Sequence, residues 1–250
     1  MKLDYIVPVR LSRNINNSDP YYDSNMQQTM NVRPITWLGL ALAFLGAPLV
    51  IFIFQSLSPP GPYTNTFVVA KELSVFAVAG LLLLLIFKGE KLGLDSIGLH
   101  SRNWGKSLLC GFLGVLMSGA ALAILLFIFS KVGISFGHAT ETDRYKNVSL
   151  WVFSLMVVRA GIVEEVCYRG YIIERLLQST RNWLVYFLFP VIIFGLLHYR
   201  QGIGGIIIAT VAGAILAQLY LKRRDLKANI ITHFLVDFIP NVLIPLIAKQ

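Results

Sequence analysis

Long apolar runs separated by short polar stretches organise this chain. The first runs from Ile35 to Leu57 and is closed by Ser58-Pro59-Pro60-Gly61-Pro62, because consecutive prolines cannot continue a helix. Further runs occupy about 67–87, 104–129, 148–177, 183–198, 203–221 and 228–248, the last carrying Pro240 and Pro245. About 20 apolar residues suffice to cross roughly 30 Å of hydrocarbon. None of the runs alternates in polarity, and a backbone in lipid must satisfy its own hydrogen bonds, so each predicts a helix. The expected fold class is all-α, a polytopic transmembrane helical bundle of about seven spans. Three parts follow: a polar, Asn-rich tail over 1–34, expected to be flexible and cytoplasmic; three helices with their connections over 35–147; and about four helices over 148–250.

Composition agrees with the pattern. Of 250 residues 56% are hydrophobic and 14% charged, where a soluble domain carries roughly 25% charge. This excludes a disordered chain and an ordinary cytosolic enzyme. The net charge of +9 would suggest nucleic acid in a soluble protein. Here Lys and Arg sit at the ends of the apolar runs, where they set orientation, so the expected partner is the bilayer and not nucleic acid. With the N-terminus inside, fourteen of the 22 basic residues fall on the inner side, among them Lys2, Arg10, Arg13, Arg33, Arg102, Arg175, Arg181 and Lys222-Arg223-Arg224. Six, including Lys71, Arg144 and Lys249, fall outside, and Arg159 and Arg169 lie within the fourth run. That asymmetry predicts N-in, C-out. No apolar core follows Lys2, so no cleaved leader is expected; with the short loops, this points to a bacterial plasma membrane. Cys110 and Cys167 form neither a disulfide framework nor a CxxC pattern.

Several polar features have plain readings. Lys71-Glu72 reads as an interfacial anchor, Lys222-Arg223-Arg224 as an inner anchor, and His100 and His138 as solvated. Gly205, Ala209 and Gly213 recur every four residues, a spacing that lets helices approach closely. Cys167 reads as a small apolar residue.

Ionisable residues at membrane depth are the informative exception. The fourth run reads Arg159-Ala-Gly-Ile-Val-Glu164-Glu165-Val-Cys-Tyr-Arg169, the fifth ends Phe194-Gly-Leu-Leu-His198, and the seventh contains His233-Phe-Leu-Val-Asp237. A charge at the bilayer centre costs roughly 2.5–3.5 kcal/mol, so these residues call for a shared polar cavity, and a functional site is the default reading. Glu165 and Arg169 share a helical face and can pair. Glu164 points about 100° away, with no basic residue four positions off, and stays free for other work. Phe194 and His198 share a face; so do His233 and Asp237, which suits Asp237 to orient the His233 ring. A free carboxylate with two histidines can deprotonate a water or hold a metal such as zinc, the candidate ligands being Glu164, His198 and His233. Arg159 has no assigned partner at this point. At 1.5 Å per residue, Glu164 and His198 lie at about 20 and 22 Å from the inner side but His233 at only about 8 Å, so the seventh helix must start deeper or its connection must dip inward.

Glu164-Glu165-x-x-x-Arg169, Phe194-x-x-x-His198 and His233-x-x-x-Asp237 resemble, in order and spacing, the three motifs of the CPBP intramembrane proteases, the CAAX-protease and bacteriocin-processing (Abi) family. This family includes the type II CAAX prenyl endopeptidases. The resemblance covers about Val148 to Ala248, making this part a catalytic core and 35–147 accessory. It implies an intramembrane endopeptidase acting on a membrane-associated protein or peptide. Glu164 would be the general base, His198 would position the water, and His233 and Asp237 would stabilise the oxyanion or orient its partners. Glu165, Arg169 and Phe194 would be supporting residues. The last motif position is commonly Asn in the prenyl endopeptidases and is Asp237 here. An ionised Asp cannot donate to an oxyanion, so orientation of His233 is the expected role. HExxH is absent and the ligand spacing does not decide for or against zinc. Two competing functions use the same residues: a proton-coupled transporter with a Glu–His–Asp relay, and a non-catalytic membrane scaffold.

Overall fold

The computed structural model describes residues 33–100, 104–134, 143–180 and 182–247. Expectations for the tail before residue 33 (Lys2, Arg10, Arg13) and for Arg102, His138, Arg181 and Lys249 lie outside the described residues. Among the described residues every regular element is helical. The helices are α1 Pro34–Ser56, α2 Asn65–Glu90, α3 Trp104–Val132, α4 at 150–179, α5 Leu184–Leu196, α6 Tyr199–Arg223 and α7 Leu226–Ile247.

Local signals explain the boundaries. Pro34 stands in the first turn of α1, where its missing N–H costs nothing. Thr64 caps α2 by accepting from the Phe67 N–H at 3.2 Å. Arg224, at φ 50°, ends α6 in the left-handed region, and Asp225 caps α7 by accepting from the Lys227 N–H at 3.2 Å. That two-residue connection is covered by the short turn Leu94–Ile97 and its flanks: Leu226 donates its N–H to the Gly98 carbonyl at 3.0 Å, and Lys227 Nζ donates to the His100 carbonyl at 2.7 Å. The first turn of α7 is therefore buried inside protein. His100 is exposed but not merely solvated, since it bonds Asp95 and the Arg224 carbonyl, each at 3.1 Å.

Five helices, α1, α2, α3, α6 and α7, are long and apolar enough to cross a membrane, so this is a multi-pass membrane protein. The expected count of seven exceeds what length and apolarity support. The α5 segment rises only about 20 Å. The α4 segment carries Arg159, Glu164, Glu165, Arg169, Glu174 and Arg175 and fails on charge. Its polarity is tolerable because it occupies the centre of the bundle: α1, α2, α5, α6 and α7 all pack on it, and twelve of its fourteen residues in Ala160–Ile173 are buried. Large apolar side chains such as Leu45, Phe52, Leu116 and Phe127 on α1 and α3 point outward, as helices bathed in lipid require.

Two close approaches fix α7. The Gly111 carbonyl on α3 accepts from Thr232 Oγ1 at 3.0 Å. On the opposite side, a Cβ at Gly161 of α4 would lie 3.2 Å from the Phe234 backbone nitrogen, so glycine there eases the close approach of α7 to α4.

A second charged cluster closes one end of the bundle. Arg175, counted among the inner-side basic residues, is buried and donates to Glu90 Oε2 from Nε and Nη2 at 3.0 and 2.7 Å. Tyr171 and Thr36 each donate to Glu90 Oε1 at 2.8 Å. Arg224, the last residue of the expected basic anchor, is likewise an ion-pair partner, of Glu174.

Candidate active site

Residues Ala160–Ile173 of α4 follow π-helical hydrogen bonding, whose wider turn brings residue i+5 back near the face of residue i. Arg159 consequently meets Glu164: Nη1 donates to Oε1 at 2.6 Å. The expectation of an unpaired Glu164 is corrected by this, because it assumed α-helical spacing and looked four residues away. Arg159 Nε donates to Glu72 Oε2 of α2 at 2.6 Å, and Lys71 Nζ approaches Glu72 Oε1 at 3.0 Å while donating to the Tyr145 hydroxyl at 3.0 Å. Lys71 and Glu72 are both buried. Their reading as an interfacial anchor is wrong: Glu72 lies about 10 Å into the helix, where only a partnered carboxylate is tolerated.

Glu165 is the hub of the opposite face. Oε1 accepts from Arg169 Nη1 at 2.6 Å and from His233 Nδ1 at 2.7 Å; Oε2 accepts from Asn229 Nδ2 at 3.2 Å. Arg169 continues to the Gly213 carbonyl at 3.1 Å, and its guanidinium lies 4.6 Å from the Phe194 ring centroid. Gly213, in the small-residue row of α6, leaves room for that contact, since a Cβ there would meet the Phe194 ring at 3.0 Å. The Glu165–Arg169 pair anticipated from sequence is present, and it does more than neutralise charge.

His233 is held at both ring nitrogens. A carboxylate only accepts, so Nδ1 carries a proton toward Glu165, and Nε2 is turned to the opposite side. There it faces Asp237 Oδ2 at 3.5 Å and Glu164 Oε2 at 3.9 Å. The shorter of the two contacts comes from Glu165, because α7 is pressed against α4 at Gly161, and Asp237, expected from i, i+4 spacing, faces the other nitrogen. His198 Nδ1 donates to the Phe194 carbonyl at 2.8 Å, leaving Nε2 to accept. The Phe194 ring sits 4.9 Å from His198 and 6.3 Å from His233, centroid to centroid, so both imidazoles line one aromatic wall. Arg159, His233 and His198 all lie within electrostatic reach of Glu164.

Accessibility separates the members. The Glu165 side chain is fully buried, whereas those of Glu164 and Asp237 are 21% and 37% exposed. Glu164 and Asp237 thus form the accessible side of the cluster, with His198 and His233 beside them, and Glu165, Arg169, Asn229 and Phe194 lie on its buried side. Cys167 is buried and unpaired in a disulfide. Residues missed from sequence are Glu72, Lys71, Tyr145 and Asn229. Asn229 was legible as the i−4 neighbour of His233; Glu72 was legible as an acid deep within an apolar run.

A zinc site requires three converging protein ligands and an open position. Among the described residues no three His, Cys, Asp or Glu side chains are grouped to hold a metal ion.

Residues 146–239 match the family described as type II CAAX prenyl endopeptidase Rce1-like. The resemblance carried by the three motifs is therefore shown for this segment, and all of them fall within it. The match supports a CAAX-protease-like function within the membrane. No curated protein and no solved structure matches the chain.

Proposed function

We propose, taking the Rce1-like segment 146–239 as the premise, that the protein is an intramembrane endopeptidase in which Glu164 activates water to hydrolyse a peptide bond. The observation that carries this reading is the 3.9 Å gap between Glu164 Oε2 and His233 Nε2. It is too long for a direct hydrogen bond and fits one water bonded to both at about 2.8 Å. Glu164 Oε2 takes a proton from that water as its oxygen attacks the carbonyl carbon, and the same carboxyl then protonates the departing amine as the C–N bond breaks. His198 Nε2 accepts the second water hydrogen and fixes the water's orientation. His233 has a carboxylate at each ring nitrogen and so carries both protons, and its Nε2–H, held beside Asp237, donates to the oxyanion as it forms.

The substrate class is a membrane-associated protein or peptide whose scissile bond reaches membrane depth, with a prenylated C-terminal CAAX tail as the first to test. Bacteriocin-like peptides are the second class. In a bacterial plasma membrane the N-terminus would lie inside and α4 and α5 would join the five long helices in a seven-segment bundle. Full-length protein in proteoliposomes, given a fluorogenic farnesylated CAAX-tailed peptide, provides the test. Glu164→Gln and His198→Ala are expected to lower kcat by roughly 10²–10⁴-fold while the protein still inserts. Wild-type turnover by Glu164→Gln would overturn the reading.

A further inference from the structure

The Rce1-like match begins at residue 146, yet a buried acid that controls the site belongs to α2, far upstream. Glu72 is fully buried, and its two oxygens face two cations: Lys71 at 3.0 Å and Arg159 at 2.6 Å. The chain of charges Lys71–Glu72–Arg159–Glu164 ends on its most exposed member, the side-chain exposures being 8%, 0%, 11% and 21% in that order. If bundle stability alone were at stake, well-packed apolar residues would serve as well or better at this depth. What the carboxylate adds is directional. By taking the Nε edge of Arg159, Glu72 turns the guanidinium so that it reaches Glu164 through Nη1 and Oε1. Glu164 Oε2 remains facing His233.

We infer that Glu72 is a positioning residue for the reaction proposed above: acting through Arg159, it keeps the guanidinium from gripping both oxygens of Glu164 and so leaves one of them to serve as base. An arginine fork prefers two parallel bonds to one carboxylate. Without Glu72 nothing opposes that geometry, and the bidentate pair would occupy the oxygen that must take the proton. The accessory helices thus complete the site, which is not contained in the matched segment alone. Tyr145 steadies the far end by holding Lys71. The inference rests on Glu164 being the base, and the experiment separates the two.

The full-length protein is reconstituted and assayed with the fluorogenic farnesylated CAAX-tailed peptide, as wild type, Glu72→Gln, Arg159→Gln and the double variant. Glu72→Gln is expected to lower kcat by roughly tenfold to a hundredfold, the scale of a small misplacement of a reacting group, with KM nearly unchanged. In the Arg159→Gln background the same change should cost less than about twofold, because its agent is gone. A second readout needs no turnover: the infrared band of the Glu164 carboxylate, identified by its loss in Glu164→Gln, should change its symmetric–antisymmetric splitting in Glu72→Gln. Should Glu72→Gln not accumulate in membranes, Glu72→Asp, shorter by one methylene, carries the same comparison. An unchanged carboxylate band, or an equal loss of kcat with and without Arg159, would overturn the inference and leave Glu72 a packing residue. Wild-type turnover by Glu164→Gln would instead overturn the hydrolase reading, and the infrared comparison would still decide whether Glu72 sets the state of Glu164.

Discussion

The two adjacent glutamates make opposite demands on the structure, and exchanging each for glutamine tests that division. Glu165 accepts from Arg169, His233 and Asn229 at 2.6, 2.7 and 3.2 Å, and Arg169 is 2% exposed. Glutamine at 165 removes the countercharge of a buried guanidinium and offers one acceptor oxygen in place of two. Breaking a buried pair from one side costs about 3–5 kcal/mol. For a chain of this size that lowers Tm by about 6–20 °C. Glutamine at 164 leaves Arg159 still bonded to Glu72 at 2.6 Å and changes a side chain that water reaches. The expected loss is that of one hydrogen bond, about 0.5–1.5 kcal/mol, or about 1–6 °C in Tm. Both variants should lose hydrolysis of the farnesylated peptide by roughly 10²–10⁴-fold, one for want of a base and the other for want of a fixed imidazole. Thermal unfolding of the purified proteins in one detergent, read beside kcat, supplies the comparison. Equal Tm losses for the two variants, or a Glu165→Gln protein as stable as wild type, would refute the assignment of Glu165 as clamp and Glu164 as reactive group.

Three further outcomes follow from the same geometry. Gly161→Ala should push α7 off α4, since its Cβ would lie 3.2 Å from the Phe234 nitrogen; overpacking by about 1–3 kcal/mol outweighs the roughly 1 kcal/mol gained by alanine in a helix, so both Tm and kcat fall. A Gly161→Ala protein more stable than wild type and fully active would refute that account. Glu90→Gln, which strands Arg175 at the other end of the bundle, should lower Tm by about 6–20 °C while active-site occupancy by a peptide-aldehyde inhibitor in the surviving fold is unchanged; a selective loss of inhibitor binding would join that cluster to the site. Dialysis against EDTA should leave kcat unaltered, because no three described side chains form a metal-ligand group; loss of activity restored by added zinc would show that Glu164 and the histidines rearrange around a metal.

Much of this was legible from the chain because membrane insertion makes polar residues conspicuous. The seven helical segments stand where apolar runs stand, and Glu164, Glu165, Arg169, His198, His233 and Asp237 were singled out by being charged or polar where lipid penalises charge. What escaped notice did so for identifiable reasons. The partner of Glu164 was hidden by the π-helical stretch, since Arg159 is five residues away and α-helical neighbours are sought at three and four. The second partner of His233, Glu165, was missed because that contact is interhelical and depends on the glycine approach at 161, whereas Asp237 was visible along the same helix. Glu72 was discounted because a Lys-Glu pair near a helix end is usually an anchor, and hydropathy averages over the depth that distinguishes an end from an interior.

Charge balance explains why these parts had to come from more than one helix, α2 and α4. Glu72, Glu164 and Glu165 bring three carboxylates into the bundle interior, and Lys71, Arg159 and Arg169 bring three cations, each within 3.0 Å of at least one carboxylate oxygen. A set that neutralises itself can be carried to membrane depth far more cheaply than its members one at a time. A single helix could not hold all six with their oxygens and nitrogens matched, because successive residues point about 100° apart. The contribution of α2 is thus a consequence of placing Glu164 and Glu165 side by side on α4: their side chains diverge, Glu165 finds Arg169 on its own helix, and Glu164 shares Arg159 with Glu72. Asp237 and the two imidazoles complete the cluster from outside α2 and α4, His233 bonding Glu165 at 2.7 Å and facing Asp237 at 3.5 Å.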